Sequence, residues 1–304
     1  MTFVIGKADA GKCVLAFLRE KTGISRAMLK HLKFIEDGIT VGGSHVTVRY
    51  ILREGDLLAI KSEDEEASEK LIPVNLPVSV VYEDTELVVP DKPPFMPTHP
   101  SLDHYEDTLA NALAYRYKDE KIPFVFRPVN RLDRNTSGLC LIARNRIAAS
   151  KLFSAMKRGE IEKKYIAVLD GVLPEKESEI VTYIGRTPDS IIVRRVCTEG
   201  EGDIAITRYR VLYENGKNSI VEATPVTGRT HQLRVHFSHL GAPIVGDELY
   251  GRENELISRH ALHSAALSFP HSTTHQKISL RAPLHEDMMS LINALFGGEI
   301  KIDE

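Results

Sequence analysis

Two textures of apolar and polar residues follow one another along the chain, and the change falls near residue 77. Before it, apolar residues recur at helical spacing, first through Cys13, Val14, Phe17 and Leu18, then through Met28, Leu29, Leu32 and Ile35. Asp9 is the candidate cap of the first helix, and Ser25 the candidate N-cap of the second. Gly38 precedes a short strand at 39–41, a Gly42-Gly43 turn, and strands at 46–48 and 57–60. Residues 1–62 are therefore expected to form a small helix-helix-hairpin domain. Residues 63–76 (EDEEASEKLIPVNL) read as an acidic linker that its own charge keeps extended.

From residue 77 to 304 the pattern is longer and mixed. Strands are predicted at 78–82, 87–89, 139–143, 165–169, 191–196, 204–213 and 261–269. Helices are predicted at 108–117, at 147–157 with Leu152, Phe153 and Met156 facing in, from a Thr230 cap through Gln232, Leu233, Val235, His236 and Leu240, and at 287–296. Thr136-Ser137-Gly138 reads as a turn leading into the 139–143 strand. Strands in hairpin-like order with helices in runs between them predict an α+β fold: a mixed, mainly antiparallel sheet with flanking helices.

Composition narrows the picture. A chain of 304 residues implies about two domains. Hydrophobic content of 42% and charged content of 27% are those of a soluble globular protein. There is no apolar run long enough to cross a bilayer, and the N-terminus lacks the pattern of a secretory signal. Three scattered cysteines, Cys13, Cys140 and Cys197, argue against a disulfide framework or a zinc knuckle. A reducing, cytoplasmic location with no membrane association is expected.

Net charge is −3, but the charge is unevenly placed. Arg127, Arg131, Arg134, Arg144 and Arg146 crowd a stretch in which Asp133 is the only acid, while acids collect at 63–66. A basic stripe on a mildly acidic protein fits a polyanion bound at one face. The flanking arginines favour a charged Asp133.

Several chemistries drop out. The chain has no G-x-S-x-G elbow, phosphate-cradling loop or G-x-G-x-x-G. His231, His236, His239 and His263 have no H-E-x-x-H arrangement and no cysteine partner, so no metal is expected. A usual glycosidase needs two placed carboxylates, and one is signalled. A single ionised aspartate suits nucleophilic or electrostatic work at a sugar or base.

Arg131-Leu132-Asp133-Arg134-Asn135-Thr136-Ser137-Gly138-Leu139-Cys140-Leu141 resembles the catalytic motif of the RluA-type pseudouridine synthases. Lys163 to Val168, the Ala205-x-Thr207 pair, the run from Thr227 to His236, Pro243 to Gly251, Leu262-His263, Ala282-Pro283-Leu284 and Lys92-Pro93 resemble further motifs of that family, in order. The resemblance spans about residues 78 to 290. One departure is Asn130, where the family often has His.

The resemblance implies isomerisation of uridine in RNA to pseudouridine with no cofactor. It implies Asp133 as the essential carboxylate, attacking sugar or base or acting through a glycal. It implies Tyr165 packed on the base and a candidate for the final proton removal, Arg229 paired with Asp133 (Arg234 being the next candidate), and Leu233 lining the pocket. Arg131 is the candidate to fill the space that the flipped uridine vacates or to hold a phosphate, with Arg134, Arg144 and Arg146 on the backbone and Lys92 in the entry loop. Residues 1–62 resemble the RNA-binding module first seen in a ribosomal small-subunit protein, through Ser25-Arg26, Gly38 and Gly55-Asp56; Gly11-Lys12-Cys13-Val14 stands where that module has Arg-Leu-Asp. Ribosomal RNA is thus the expected partner, with transfer RNA the alternative, and a monomer is expected.

Overall fold

The computed structural model describes residues 1–22, 24, 26–35, 37–61, 71–120, 124–298 and 300. The Ser25 cap and residues 63–70 of the expected linker lie outside the described residues.

The first sixty residues carry β1 (Thr2–Val4), α1 (Val14–Thr22), α2 (Arg26–Leu32), β2 (Ile39–Val41), β3 (Ser44–His45) and β4 (Leu57–Ile60). The four strands form one antiparallel sheet in the order β1-β4-β2-β3. Val14, Phe17 and Leu18 of α1 and Met28, Leu29 and Leu32 of α2 pack on Ile39, Leu58 and Ile60, so the helical spacing marks the buried faces.

Two expectations fail here for the same reason. Asp9 does not cap α1; its carboxylate holds Lys12 and Lys21. Residues 46–48 do not join the sheet, because the carbonyls of Val48 and Tyr50 accept from the amides of Leu15 and Val14. The open first turn of α1 is served by that backbone instead of by a side chain.

The rest of the chain builds a twelve-stranded sheet. In chain order it contains β5 (Ser79–Glu83), β6 (Leu87–Lys92), α3 (Leu109–Arg116), β7 (Arg127–Pro128), β8 (Ser137–Leu139), β9 (Ile142–Ala143), α4 (Arg146–Lys157), β10 (Glu162–Leu169) and β11 (Glu177–Arg186). Then come β12 (Arg194–Cys197), β13 (Asp203–Glu214), β14 (Ser219–Pro225), α5 (Gln232–His239), β15 (Leu262–Pro270), β16 (Lys277–Arg281) and α6 (Glu286–Phe296). The strands run β12-β11-β13-β14-β10-β15-β8-β6-β9-β7, with β16 beside β15 and β5 beside β6. Among these strand pairs only β8 with β15 is parallel. The fold is α+β with a mainly antiparallel sheet.

β10 lies between β14 and β15, and Ile166 to Leu169 are buried on both faces. Leu109 and Leu113 of α3, Leu233 and Phe237 of α5, and Met288, Leu291 and Ile292 of α6 share its core. On a second core, Ala148, Leu152 and Ala155 of α4 meet Leu87, Leu139, Leu141 and Phe269. Each fully buried Leu or Ile contributes about 1.5–3 kcal/mol, so helices on both faces fix the sheet. The sequence pattern missed β7, β11, β14 and β16, and Ile191-Ile192 prove exposed, with β12 beginning at Arg194. No described helix is long and apolar enough to cross a membrane.

The 139–143 run, uniformly apolar, is not one strand. Cys140 donates its amide to the Pro90 carbonyl, and the ladder divides there into β8 and β9. Thr136-Ser137-Gly138 is not the turn either. The turn spans residues 133–136, closed by the Thr136 amide on the Asp133 carbonyl at 3.1 Å, and Ser137 and Gly138 already belong to β8. Gly138 is required where it stands: its φ is +109°, and a Cβ would lie 2.4 Å from the Ser264 carbonyl oxygen of β15.

Candidate active site

The loop that carries Asp133 is clamped from two sides. Thr98 Oγ1 donates to the Leu132 carbonyl (2.8 Å) and accepts from the Leu132 amide (3.3 Å). Below it, Arg259 is fully buried and donates to the Asn135 carbonyl (3.1 Å) and Ser137 Oγ (3.3 Å), while its Nε and Nη2 grip Asp287 at the start of α6. His260 bonds Thr136 at 2.7 Å and His263 bonds Ser137 at 2.9 Å. Both histidines are buried, which holds His260 well below the usual imidazole range and His263 down to about 4. They stay neutral and serve as hydrogen-bonding struts. Asn130 completes the frame: its Oδ1 accepts from the Leu141 amide at 2.7 Å, across the break between β8 and β9.

Facing this loop is the first turn of α5. Thr230 does not cap that helix. His231, at φ +57°, occupies the cap position without a side-chain cap bond, and Gln232 Oε1 accepts from the Arg229 amide and the Thr227 hydroxyl. The left-handed residue turns the chain sharply, so the next turn presents Arg234 inward. Arg234 Nε and Nη2 both bond Asp247 at 2.7 Å, a bidentate pair. Its Nη1 reaches Asp133 at 3.3 Å. Asp247 is 0% exposed and also accepts from the amides of Leu249 and Tyr250. Gly246, at φ +74°, lets this turn press on Arg259, whose carbonyl would lie 2.3 Å from a Cβ. Burial pulls the Arg234 guanidinium down, but Asp247 and Asp133 outweigh it and the net shift is upward, so it stays charged.

The expected Arg229–Asp133 pair is therefore replaced by Arg234–Asp133. Arg229 lies before the helix and runs along β13, donating to the Ile204 carbonyl (2.9 Å) and Asp203 (3.2 Å), with 36% of its side chain exposed. Asp133 itself is 30% exposed, open to the cleft.

A further group backs the pair. Tyr250 lies under the Arg234 guanidinium, 5.0 Å from ring centre to carbon, and its hydroxyl accepts from the Arg194 amide. The Tyr250 hydroxyl also bonds His231 Nδ1 (2.8 Å), and the other ring nitrogen, Nε2, lies 3.9 Å from Asp133. Burial keeps His231 below its usual range, so it faces Asp133 as a neutral ring.

Of the other expected site residues, Tyr165 and Leu233 are buried in the core cluster that contains Leu132. Burial raises the Tyr165 phenol, and nearby Asp133 raises it further. Arg131 and Arg134 are exposed at the rim, Arg134 donating Nε to the Phe95 carbonyl at 3.3 Å. Lys92 differs from expectation: it is 0% exposed, and its Nζ donates to the carbonyls of Pro93, Met96 and Arg134 at 2.8–3.1 Å. It holds the 92–98 loop from behind, its amine turned inward to these carbonyls. Burial lowers it to about 7.

Sequence reasoning missed Asp247, Tyr250, Arg259 and His260 as parts of the site. Asp247 and Tyr250 stood in a Gly-Asp-x-x-Tyr-Gly run whose role no local pattern announces. Among the described residues, one trio offers metal-ligand atoms close together, Asp91, His263 and His285. Each already has a partner: His285 bonds Asp91 at 3.2 Å and His263 bonds Ser137.

Comparisons with known proteins converge. The family model described as RNA pseudouridylate synthase matches residues 86–239, which include Asp133, Tyr165 and Arg234. The chain is 41% identical over 270 residues to the "Uncharacterized RNA pseudouridine synthase YjbO" of Bacillus subtilis, covering 89% of this chain and 95% of that protein. It is 33% identical to "Ribosomal large subunit pseudouridine synthase D" of Pseudomonas aeruginosa, covering 86% and 85%. Among solved structures, "Human RNA Pseudouridylate Synthase Domain Containing 1" matches with a TM-score of 0.55 at 31% identity, covering 68% of this chain and 83% of that one. A buried arginine holding one open aspartate beside a buried tyrosine is thus found in a chain that belongs to the RNA pseudouridine synthases, of the RluA type, which isomerise uridine to pseudouridine.

Proposed function

We propose that the chain isomerises uridines of ribosomal RNA through Asp133, with Arg234 and not Arg229 as the arginine that pairs with the carboxylate and aims it. The observation that carries this reading is the relay Asp133–Arg234–Asp247, at 3.3 Å and 2.7 Å. Asp247 takes the Nε edge of the guanidinium, so the fork is fixed and Nη1 is turned toward the open carboxylate. The uracil N1–C1′ bond breaks, the base turns while held, and a C5–C1′ bond forms; the C5 proton is then lost and N1 gains one, so the product is an isomer. A charged Asp133 serves at C1′ or on the base, or by taking the proton that gives a glycal.

Tyr165 is read as the surface on which uracil packs. Its raised, protonated phenol favours that role over proton removal at C5. Leu233 closes the pocket beside it, and the neutral His231 ring faces Asp133. Arg131 and Arg134, exposed at the rim, meet the RNA backbone or the vacated stack.

Ribosomal RNA is favoured because relatives such as the Pseudomonas protein are named for the large ribosomal subunit. Residues 1–62 are read as an RNA-binding unit, 63–76 as a linker and 77–304 as the catalytic domain. Support comes from the separate four-stranded sheet, whose buried cluster is completed by Ile147 of α4.

The test is tritium release from ribosomal RNA labelled at uracil C5. Wild type is expected to release tritium and Asp133→Asn to release none above background. Equal release by both would sink the aspartate reading, and release only from transfer RNA would redirect the substrate.

A further inference from the structure

Phe95 is built into the rim of the site in a way its own packing does not explain. It has φ +63°, a conformation that bulky side chains rarely adopt. Its side chain is not hidden in exchange: the residue is 44% exposed. Strain together with an exposed aromatic ring is a double cost, and such positions persist where the surrounding structure forces them.

The forcing contacts are all present. Lys92 Nζ binds the carbonyls of Pro93 and Met96, on either side of Phe95. The same amine binds the Arg134 carbonyl at 3.1 Å, and Arg134 Nε returns a bond to the Phe95 carbonyl at 3.3 Å. Met96 is buried, and Thr98 is stitched to Leu132. Residues 92–98 and 132–134 are therefore one laced unit, with Phe95 standing out of it beside the loop that carries Asp133. The exposed cations of that rim are Arg131 and Arg134.

We propose that Phe95 is a base-stacking subsite: its ring receives an unpaired nucleobase of the RNA next to the target uridine, while Arg131 and Arg134 take the neighbouring phosphates. An aromatic face accepts any base, and stacking of this kind is sequence-tolerant. A rigid ring pre-set beside the catalytic loop binds with little loss of side-chain freedom. The proposal rests on RNA being the substrate of this site.

The chain contains no tryptophan, so Phe95→Trp is a single-tryptophan reporter at the rim. Titrated with oligouridylate, its emission is expected to be quenched and its affinity to equal or exceed that of wild type. This readout does not depend on which uridine is modified, whereas tritium release by wild type separately tests the enzyme reading. Phe95→Gly removes both the ring and the strain. It is expected to raise Tm by about 2 °C while weakening oligouridylate binding about tenfold and raising KM more than it lowers kcat. A purely structural Phe95 would lose stability and leave affinity within twofold. That result, or unchanged Phe95→Trp emission at saturating oligouridylate, would overturn the proposal.

Discussion

Two buried arginines frame the loop of Asp133, and they differ in what they leave unspent. Arg259 uses its guanidinium completely: two bonds to Asp287, one to Ser137 Oγ, and three to the carbonyls of Asn135, His260 and Leu262. Arg234 gives Nε and Nη2 to Asp247 and has one contact beyond, at 3.3 Å to an aspartate that solvent still reaches. The first arginine closes a structure; the second presents a charge to a cleft. Arginine in a buried pair is by itself weak evidence of function. The distinguishing sign is an unfinished donor set pointed at an open carboxylate.

The comparison is broken most severely at Arg234. Arg234→Ala is expected to lower kcat/KM by about 10³-fold, and to destabilise by about 3–5 kcal/mol because it leaves Asp247 buried and unpaired. Arg234→Lys keeps charge but loses the fork, so it should retain the fold better than it retains activity. Arg229→Ala, removing a surface pair with Asp203, should stay within about threefold of wild type, since exposed pairs contribute little. Tritium release and thermal melts on the three variants check this. Should Arg229→Ala prove the more damaging of the two alanine variants, the arginine has been assigned wrongly.

Arg259 sharpens the contrast from the other side. Its alanine variant is expected to cost about 3 kcal/mol, at the low end because Asp287 is one-third exposed. Activity at low temperature should fall no more than about tenfold, through loosening of Asn135 and Ser137. Chemical denaturation beside kcat measured on the folded fraction separates the two effects. A loss of kcat as large as that of Arg234→Ala, with unchanged stability, would erase the distinction between the two arginines.

Much of this was legible in local pattern, and the failures share a cause. α3 begins at 109 because Thr108 and Asn111 form a capping box, a signal carried by two residues three apart. The apolar run of β10 and the spacing of α6 were equally local; in α4 Leu152 faces in as expected, but Phe153 is exposed. Asp133 was legible as a lone acid among arginines. Its partner was not: Arg229 and Arg234 lie five residues apart in one motif, and the choice between them is made by the left-handed turn at His231. The break between β8 and β9 depends on Pro90 and Asn130 accepting from the 140–141 amides, contacts that span tens of residues or a side chain. Lys92 was expected to bind substrate because Lys92-Pro93 resembles a family motif, and a motif cannot say on which side of a loop an amine is buried.

The smallest expected effect concerns the neutral histidines on the Arg259 side. His263 is fully buried; burial, with His285 and Arg259 adding to it and Asp91 opposing, lowers it to about 4. In the unfolded chain it titrates near 6.5. Between those values the unfolded state holds the proton and the folded state does not. Stability therefore falls as pH drops from 6.5 toward 4, by about 1 kcal/mol per unit from this group. His263→Asn keeps an acceptor for Ser137 and removes the titration. Wild type should lose stability more steeply than this variant between pH 6.5 and 4.5, while the two curves run parallel above pH 7. Parallel curves throughout would mean that the ring is charged in the fold. Ser137 would then lose its acceptor, and His263 would belong with Asp91 and His285 as an ion-paired group instead of with Arg259 as a strut.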